Sequence, residues 1–166
     1  ADGAARRVRL TLARDGVWGI SADALTDFPE PKSVVVAPQR IDSRDPLYAH
    51  KTTRRALYDS EFARAQREHG AYEVLFFNQR GELAEGSRTN VFLELDGRWC
   101  TPPLSAGCLP GLMRAQVLAQ REHACERVLR QEDVARATRI YVCNAVRGVV
   151  EVRMAQARDA MQHLSP

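Results

Sequence analysis

Short stretches of alternating apolar residues, each stopped by a glycine-containing turn, constrain this chain more than any other feature. Val8, Leu10 and Leu12 alternate with polar residues up to Asp15-Gly16, after which Val17, Trp18 and Ile20 return. Val91, Leu93 and Leu95 do the same into Asp96-Gly97, with Trp99 to Thr101 on the far side. Alternation with a period of two marks a strand, and Asp-Gly supplies the backbone angles of a tight hairpin. Residues 33–37, 72–77, 82–85, 125–129, 140–143 and 149–152 also read as strands. Two substantial helices are expected. One runs from Thr52 or Thr53 as cap to about His69, with Tyr58, Phe62 and Ala65 facing inward and Gly70 as its stop; the other runs from Gly111 to about His123. A shorter helix is expected over residues 132–137, and the C-terminal tail reads as helical or frayed. Strands outnumber helices and several are joined as hairpins. The expectation is therefore an α+β fold, with helices packed on a mixed, mostly antiparallel sheet curled into a half-barrel.

With 166 residues, 45% of them apolar and 27% charged, the chain can bury a sizeable core. It has no apolar run long enough to span a membrane and no signal-peptide pattern at the front, so a cytoplasmic protein is expected. Cys100, Cys108, Cys125 and Cys143 form no C-x-x-C pair and do not sit at ligand intervals with the histidines; free thiols and no metal site are expected. Of 24 cationic side chains only Lys32 and Lys51 are lysine, and the arginines are scattered among acids. A nucleic-acid surface calls for a concentrated basic face, and none is apparent. The proline-punctuated stretch D-F-P-E-P at residues 27–31 separates the first hairpin from the rest. That hairpin has too few residues for a core of its own and reads as the end of something that began upstream.

Four segments could carry chemistry. His50-Lys51-Thr52-Thr53-Arg54-Arg55 puts a lysine at a strand-to-helix junction among cations, where partial burial would favour the neutral amine a nucleophile needs; a solvated lysine is the alternative. Glu85 ends a strand ahead of the loop Gly86-Ser87-Arg88-Thr89-Asn90, and is either a surface carboxylate or a group that holds a proton on a heterocyclic nitrogen. Leu109-Pro110-Gly111-Leu112-Met113-Arg114 opens a helix with a glycine, leaving amide N–H groups for an anion, although no P-loop pattern is present. Tyr141 to Val146 ends a strand in a small polar turn that could add further phosphate donors. The metalloprotease, nucleophile-elbow and dinucleotide-binding patterns are all absent.

Taken in order, these segments resemble the fold-type IV pyridoxal-phosphate enzymes, which include branched-chain and D-amino-acid aminotransferases and aminodeoxychorismate lyase. The resemblance rests on Lys51; on Glu85, Ser87, Asn90, Val91 and Phe92; on Thr101; and on Leu109, Gly111, Leu112 and Arg114. His50 to Arg55 and Cys143-Asn144-Ala145 look most like the lyase, especially the version fused behind an aminodeoxychorismate synthase component. It implies the D-amino-acid-aminotransferase-like fold, with residues 1–31 a remnant of a small N-terminal domain plus connector and residues 32–166 the large cofactor-binding domain. It further implies pyridoxal 5'-phosphate as cofactor and Lys51 as the Schiff-base and proton-transfer lysine. Glu85 would pair with the pyridine nitrogen, the Leu112 and Met113 amides would hold the phosphate with help from Asn144-Ala145, and Arg55 would meet the ring edge or a substrate carboxylate. The implied reaction converts 4-amino-4-deoxychorismate to 4-aminobenzoate and pyruvate, on the folate pathway. Amino transfer on branched-chain or D-amino acids is the alternative, and a cofactor-free docking fragment of a larger synthase is a third. A homodimer and an upstream synthase domain are the implied partners.

Overall fold

The computed structural model describes residues 5–25 and 27–155, and the chain divides into two compact units, Ala1–Glu30 and Pro31–Pro166. The first unit is the expected hairpin: β1 (Arg6–Leu12) and β2 (Trp18–Ala24) pair antiparallel, with Leu12 opposite Trp18 and Leu10 opposite Ile20. Gly16 takes φ 87° at the turn, and the Asp15 carboxylate accepts from the Val17 N–H at 3.1 Å. Arg7 and Asp23 pair across the ribbon at 2.8 Å.

The second unit holds β3 (Ser33–Val36), α1 (Ala56–His69), β4 (Glu73–Phe77), β5 (Leu83–Gly86), β6 (Asn90–Leu95) and β7 (Arg98–Thr101). These are followed by α2 (Leu112–Gln120), β8 (Ala124–Glu126), α3 (Gln131–Arg136), β9 (Arg139–Asn144) and β10 (Gly148–Met154). Its eight strands form one sheet in the order β5-β4-β3-β10-β9-β6-β7-β8. β3 runs parallel to β4 and β10, β7 runs parallel to β8, and the remaining neighbours are antiparallel, which is the mixed sheet expected. The sheet also curls on itself. At one rim the Leu83 N–H of β5 donates at 2.7 Å to the carbonyl of Leu129, which follows β8 at the other rim.

Helix α1 covers β4 through Tyr58, Ala65, Val74 and Phe76, and α2 covers a second cluster of Phe92, Trp99, Val117, Tyr141 and Cys143. β4 is buried along its whole length, which suits a central strand with apolar residues on both faces. Full burial of a side chain such as Phe76 stabilises by about 1.5–3 kcal/mol.

Several boundaries differ from the sequence expectation, among them β2, which runs four residues past Ile20 to Ala24. α1 starts at Ala56 rather than at a threonine cap, because the Thr52 hydroxyl accepts from the Arg54 N–H at 3.3 Å in a turn before the helix, and Arg55 takes the cap position without a side-chain bond. α2 ends at Gln120, three residues early. The strand expected over residues 125–129 pairs only as β8, since Leu129 swings out to meet Leu83. Gly70 closes α1 in the left-handed conformation, as expected, at φ 60°. Phe62 is half-buried rather than fully inward. The expected C-terminal helix falls largely outside the described residues. Among those residues no helix is long and apolar enough to cross a membrane, no group of residues is suited to a metal ion, and the four cysteines are free thiols.

Candidate active site

One cavity of ≈ 640 Å³ in the second unit is lined by four stretches far apart in sequence, and it gathers the seven residues to which the resemblance gives a cofactor or substrate role, but not Thr101 or Arg114. Lys51 and Arg55 come from the segment entering α1, Glu85 from the end of β5, Leu112 and Met113 from the first turn of α2, and Asn144 and Ala145 from the β9–β10 turn. Lys51 itself is exposed, so the partial burial expected around its amine is not found.

Glu85 is 7% exposed, not the surface carboxylate its hairpin position allowed. One carboxylate oxygen accepts from the Tyr58 hydroxyl at 2.7 Å and the other from the Leu109 N–H at 2.8 Å. Burial nevertheless pushes its pKa up to about 7; those two donors and Arg55 pull the other way, while the charge of Glu73 adds to the rise. The Tyr58 hydroxyl in turn is held far above its ordinary value by burial and by Glu85. Sequence reasoning placed Tyr58 in a helix stripe and missed this contact. The two residues are 27 apart, and no local pattern links them. Tyr58 is fixed by edge-on rings, with Phe76 at 4.7 Å and Tyr48 at 5.9 Å between centroids.

The loop after Glu85 is wrapped around a second acid that no sequence motif marks. Glu73 is fully buried, and its carboxylate accepts from the N–H of Ser87 at 3.0 Å, the N–H of Arg88 at 3.2 Å, the hydroxyl of Thr89 at 2.9 Å and the hydroxyl of Ser87. Satisfying a buried charge with this many donors is what allows it to remain there. Gly86 is needed for the wrap, since a Cβ there would collide with the Thr89 hydroxyl and lie 2.9 Å from Glu73 Cγ. Arg55 donates to the Ser87 carbonyl and pairs with Asp59 at 3.5 Å, so its guanidinium is held by protein groups at the cavity wall.

The start of α2 is built by the same logic. Asn90 donates to the Leu109 carbonyl at 2.8 Å, and a Cβ on Gly111 would overlap Asn90 Oδ1, so only glycine fits between them. Gly111 gives α2 no side-chain cap, which leaves the first-turn amides available to an anion. Arg114, 4% exposed, anchors this turn by donating to the Pro102 carbonyl at 2.7 Å and to Glu126. Thr101, fully buried, donates to the Val91 carbonyl at 2.7 Å and so serves the sheet rather than the cavity. Asn144 shapes the facing turn through its side chain: Oδ1 accepts from the N–H groups of Val146 at 3.0 Å and Arg147 at 2.9 Å, and Nδ2 donates to the Arg88 carbonyl at 3.3 Å.

Known proteins share this architecture. A structure named "Putative amino-acid aminotransferase" from Mesorhizobium loti is 36% identical, superposes with a TM-score of 0.80, and is matched over 90% of this chain and 73% of its own. A curated "Putative aminodeoxychorismate lyase" of Schizosaccharomyces pombe is 27% identical over 137 residues, covering 76% of this chain and 57% of that protein. A "Probable branched-chain-amino-acid aminotransferase" of Thermotoga maritima is 33% identical over 86 residues, covering 49% of this chain and 32% of that protein. The chain thus spans little more than half the length of the first of these curated relatives. The sequence profile of the amino-transferase class IV family matches residues 2–155, and on that match this chain belongs to the class IV aminotransferases.

Proposed function

We propose that this chain carries the pyridoxal-phosphate site of a 4-amino-4-deoxychorismate lyase, yielding 4-aminobenzoate and pyruvate. The observation that carries the reading is that Lys51, Glu85 and the uncapped start of α2 line one cavity. These groups fit the cofactor: an amine for its aldehyde, a nearly buried acid for its ring nitrogen, and free amides for its phosphate. When bound, pyridoxal phosphate supplies a ring that accepts the electron pair left on the substrate carbon next to nitrogen.

The chain's own groups do the rest. The Lys51 amine would hold the aldehyde and carry the proton taken from that carbon. Glu85 would keep the proton on the ring nitrogen, with the Tyr58 hydroxyl and the Leu109 N–H fixing the orientation of its carboxylate. The amides of Leu112 and Met113 would hold the phosphate from the helix start, with the Asn144-Ala145 turn assisting. Arg55, at the wall, would meet the ring edge or a substrate carboxylate. Residues 1–31 are read as part of the family's smaller domain with its connector, and the working assembly as a homodimer.

The lyase reading is favoured by the lyase-named relative, which aligns over 76% of this chain. Amino transfer is the second reading, supported by the 36% identity to the aminotransferase-named structure. The test is spectroscopic and then chemical. Protein loaded with pyridoxal phosphate and then freed of unbound cofactor by desalting should stay yellow, and borohydride should fix the cofactor to Lys51; Lys51→Ala should be colourless after the same desalting. A Lys51→Ala variant with an unchanged spectrum ends the assignment. Release of pyruvate from aminodeoxychorismate without a keto-acid acceptor marks the lyase, and acceptor-dependent transfer marks the alternative.

A further inference from the structure

Cys100 and Cys125 take no part in the cavity. Cys100 in β7 is the registered partner of Cys125 in the parallel strand β8, and their Sγ atoms lie 3.6 Å apart as free thiols. Adjacent strands run about 4.8 Å apart, inside the Cα separation of roughly 4.4–6.8 Å that a disulfide bridges. Bond formation therefore asks only that two sulfurs already in contact rotate toward each other. The other two cysteines differ. Cys108 faces the carbonyls of Pro102 and Pro103 at 3.8 and 3.6 Å, and Cys143 lies buried in the cluster under α2. Cys125 is half-buried and open to a small reagent, whereas Cys100 is buried at 2% exposure directly behind it. That is the arrangement of an attacking thiol backed by a resolving one.

We propose that Cys100 and Cys125 are a reversible modification site, a dithiol that small disulfides oxidise to an intrachain bridge. The Cys125 thiolate attacks one sulfur of the small disulfide, forming a mixed disulfide and expelling one thiolate. Cys100, after losing its proton, attacks the Cys125 sulfur and expels the second. Two protein thiols are oxidised by two electrons, and one small disulfide is reduced to two thiols. In the reduced protein burial holds the Cys100 thiol up near 11, its contact with Cys125 adds to the rise, and the Arg127 guanidinium pulls the other way. The bridge would close a ring between residues 25 apart in sequence, and that ring contains the whole of α2 and the loop before it. Arg114 already ties the first turn of α2 to Pro102, just past the end of β7, and to Glu126, the last residue of β8. Oxidation would therefore staple the frame beneath the turn that faces the cavity.

The experiment reads thiols and so is independent of the proposed activity. Reduced protein is incubated with oxidised glutathione in mildly alkaline buffer, blocked with iodoacetamide and mapped by peptide mass spectrometry. The expected result is a Cys100–Cys125 cross-linked peptide pair that dithiothreitol reverses. Cys100→Ser should instead accumulate a lasting glutathione adduct on Cys125, because nothing remains to resolve it. The proposal is overturned if both cysteines stay alkylatable, if the glutathione adduct persists in the unsubstituted protein, or if the bridge forms through Cys108 or Cys143.

Discussion

The hairpin β1–β2 and the strand β6 carry the same sequence signal and end up in opposite surroundings. Val8, Leu10 and Leu12 are 63%, 68% and 76% exposed, whereas Val91, Leu93 and Leu95 are 0%, 0% and 3% exposed. Both alternate, and both run into a tight Asp-Gly turn. Alternation specifies a strand and the face its side chains share; it does not specify what covers that face. For β6 the cover comes from β9 and β7 beside it and from the elements packed on the sheet, and even the intervening Phe92 is fully buried. Apolar residues stabilise in proportion to the area they remove from water, so equal composition carries very different weight in the two places.

The strongest way to break this contrast is to cut the same atoms from both. Leu93→Ala should destabilise the protein by about 2–5 kcal/mol, read as a lower urea midpoint, because it opens a cavity where nothing can collapse. A loss under about 1 kcal/mol would mean β6 is less tightly covered than its exposure indicates.

A second measurement asks whether the covered unit also holds a proton the unfolded chain would release. The Glu85 carboxyl sits at about 7 in the folded protein against an ordinary 4.5, so the folded state binds the proton more tightly. Its contribution to stability is fully present below the lower value and is lost as pH rises through the upper one. The difference amounts to roughly 3 kcal/mol across that window. Urea titrations without added pyridoxal phosphate should show this slope, and Glu85→Gln should remove it. An equal slope in both proteins would show that Glu85 ionises as it does in water.

The smallest effect is expected in the hairpin, where Leu10→Ala should move the urea midpoint by less than about 0.5 kcal/mol. A larger loss would show that its apolar face is covered in solution.

What could be read from the sequence was local. Asp96-Gly97, the Gly70 stop and the glycine ahead of α2 each act over one turn, and each appears where its chemistry demands. Lys51, Glu85, Leu112 and Asn144 were legible because each sits in a short motif, and the fold draws all four to one cavity. What stayed hidden depends on partners distant in sequence. Glu73 reads as one charge in an apolar strand until Ser87, Arg88 and Thr89 fold back onto it. The burial of Glu85, the hold of Tyr58 upon it and the commitment of Arg55 to the Ser87 carbonyl are likewise products of tertiary packing. The displaced start of α1 has the same origin, since the residues just after Lys51 turn along the cavity wall instead of winding into helix.

The hydrogen bond from Leu83 to Leu129 bears on how the protein behaves in a crowded solution. A sheet rim with idle amides and carbonyls is a template on which another molecule's strand can grow into a filament. The bond from Leu83 to Leu129 occupies one such amide on the first rim of the eight-stranded sheet and brings the segment beyond its last strand against it. Among the described residues the two-stranded ribbon keeps both outer edges unpaired, with its oily face in water.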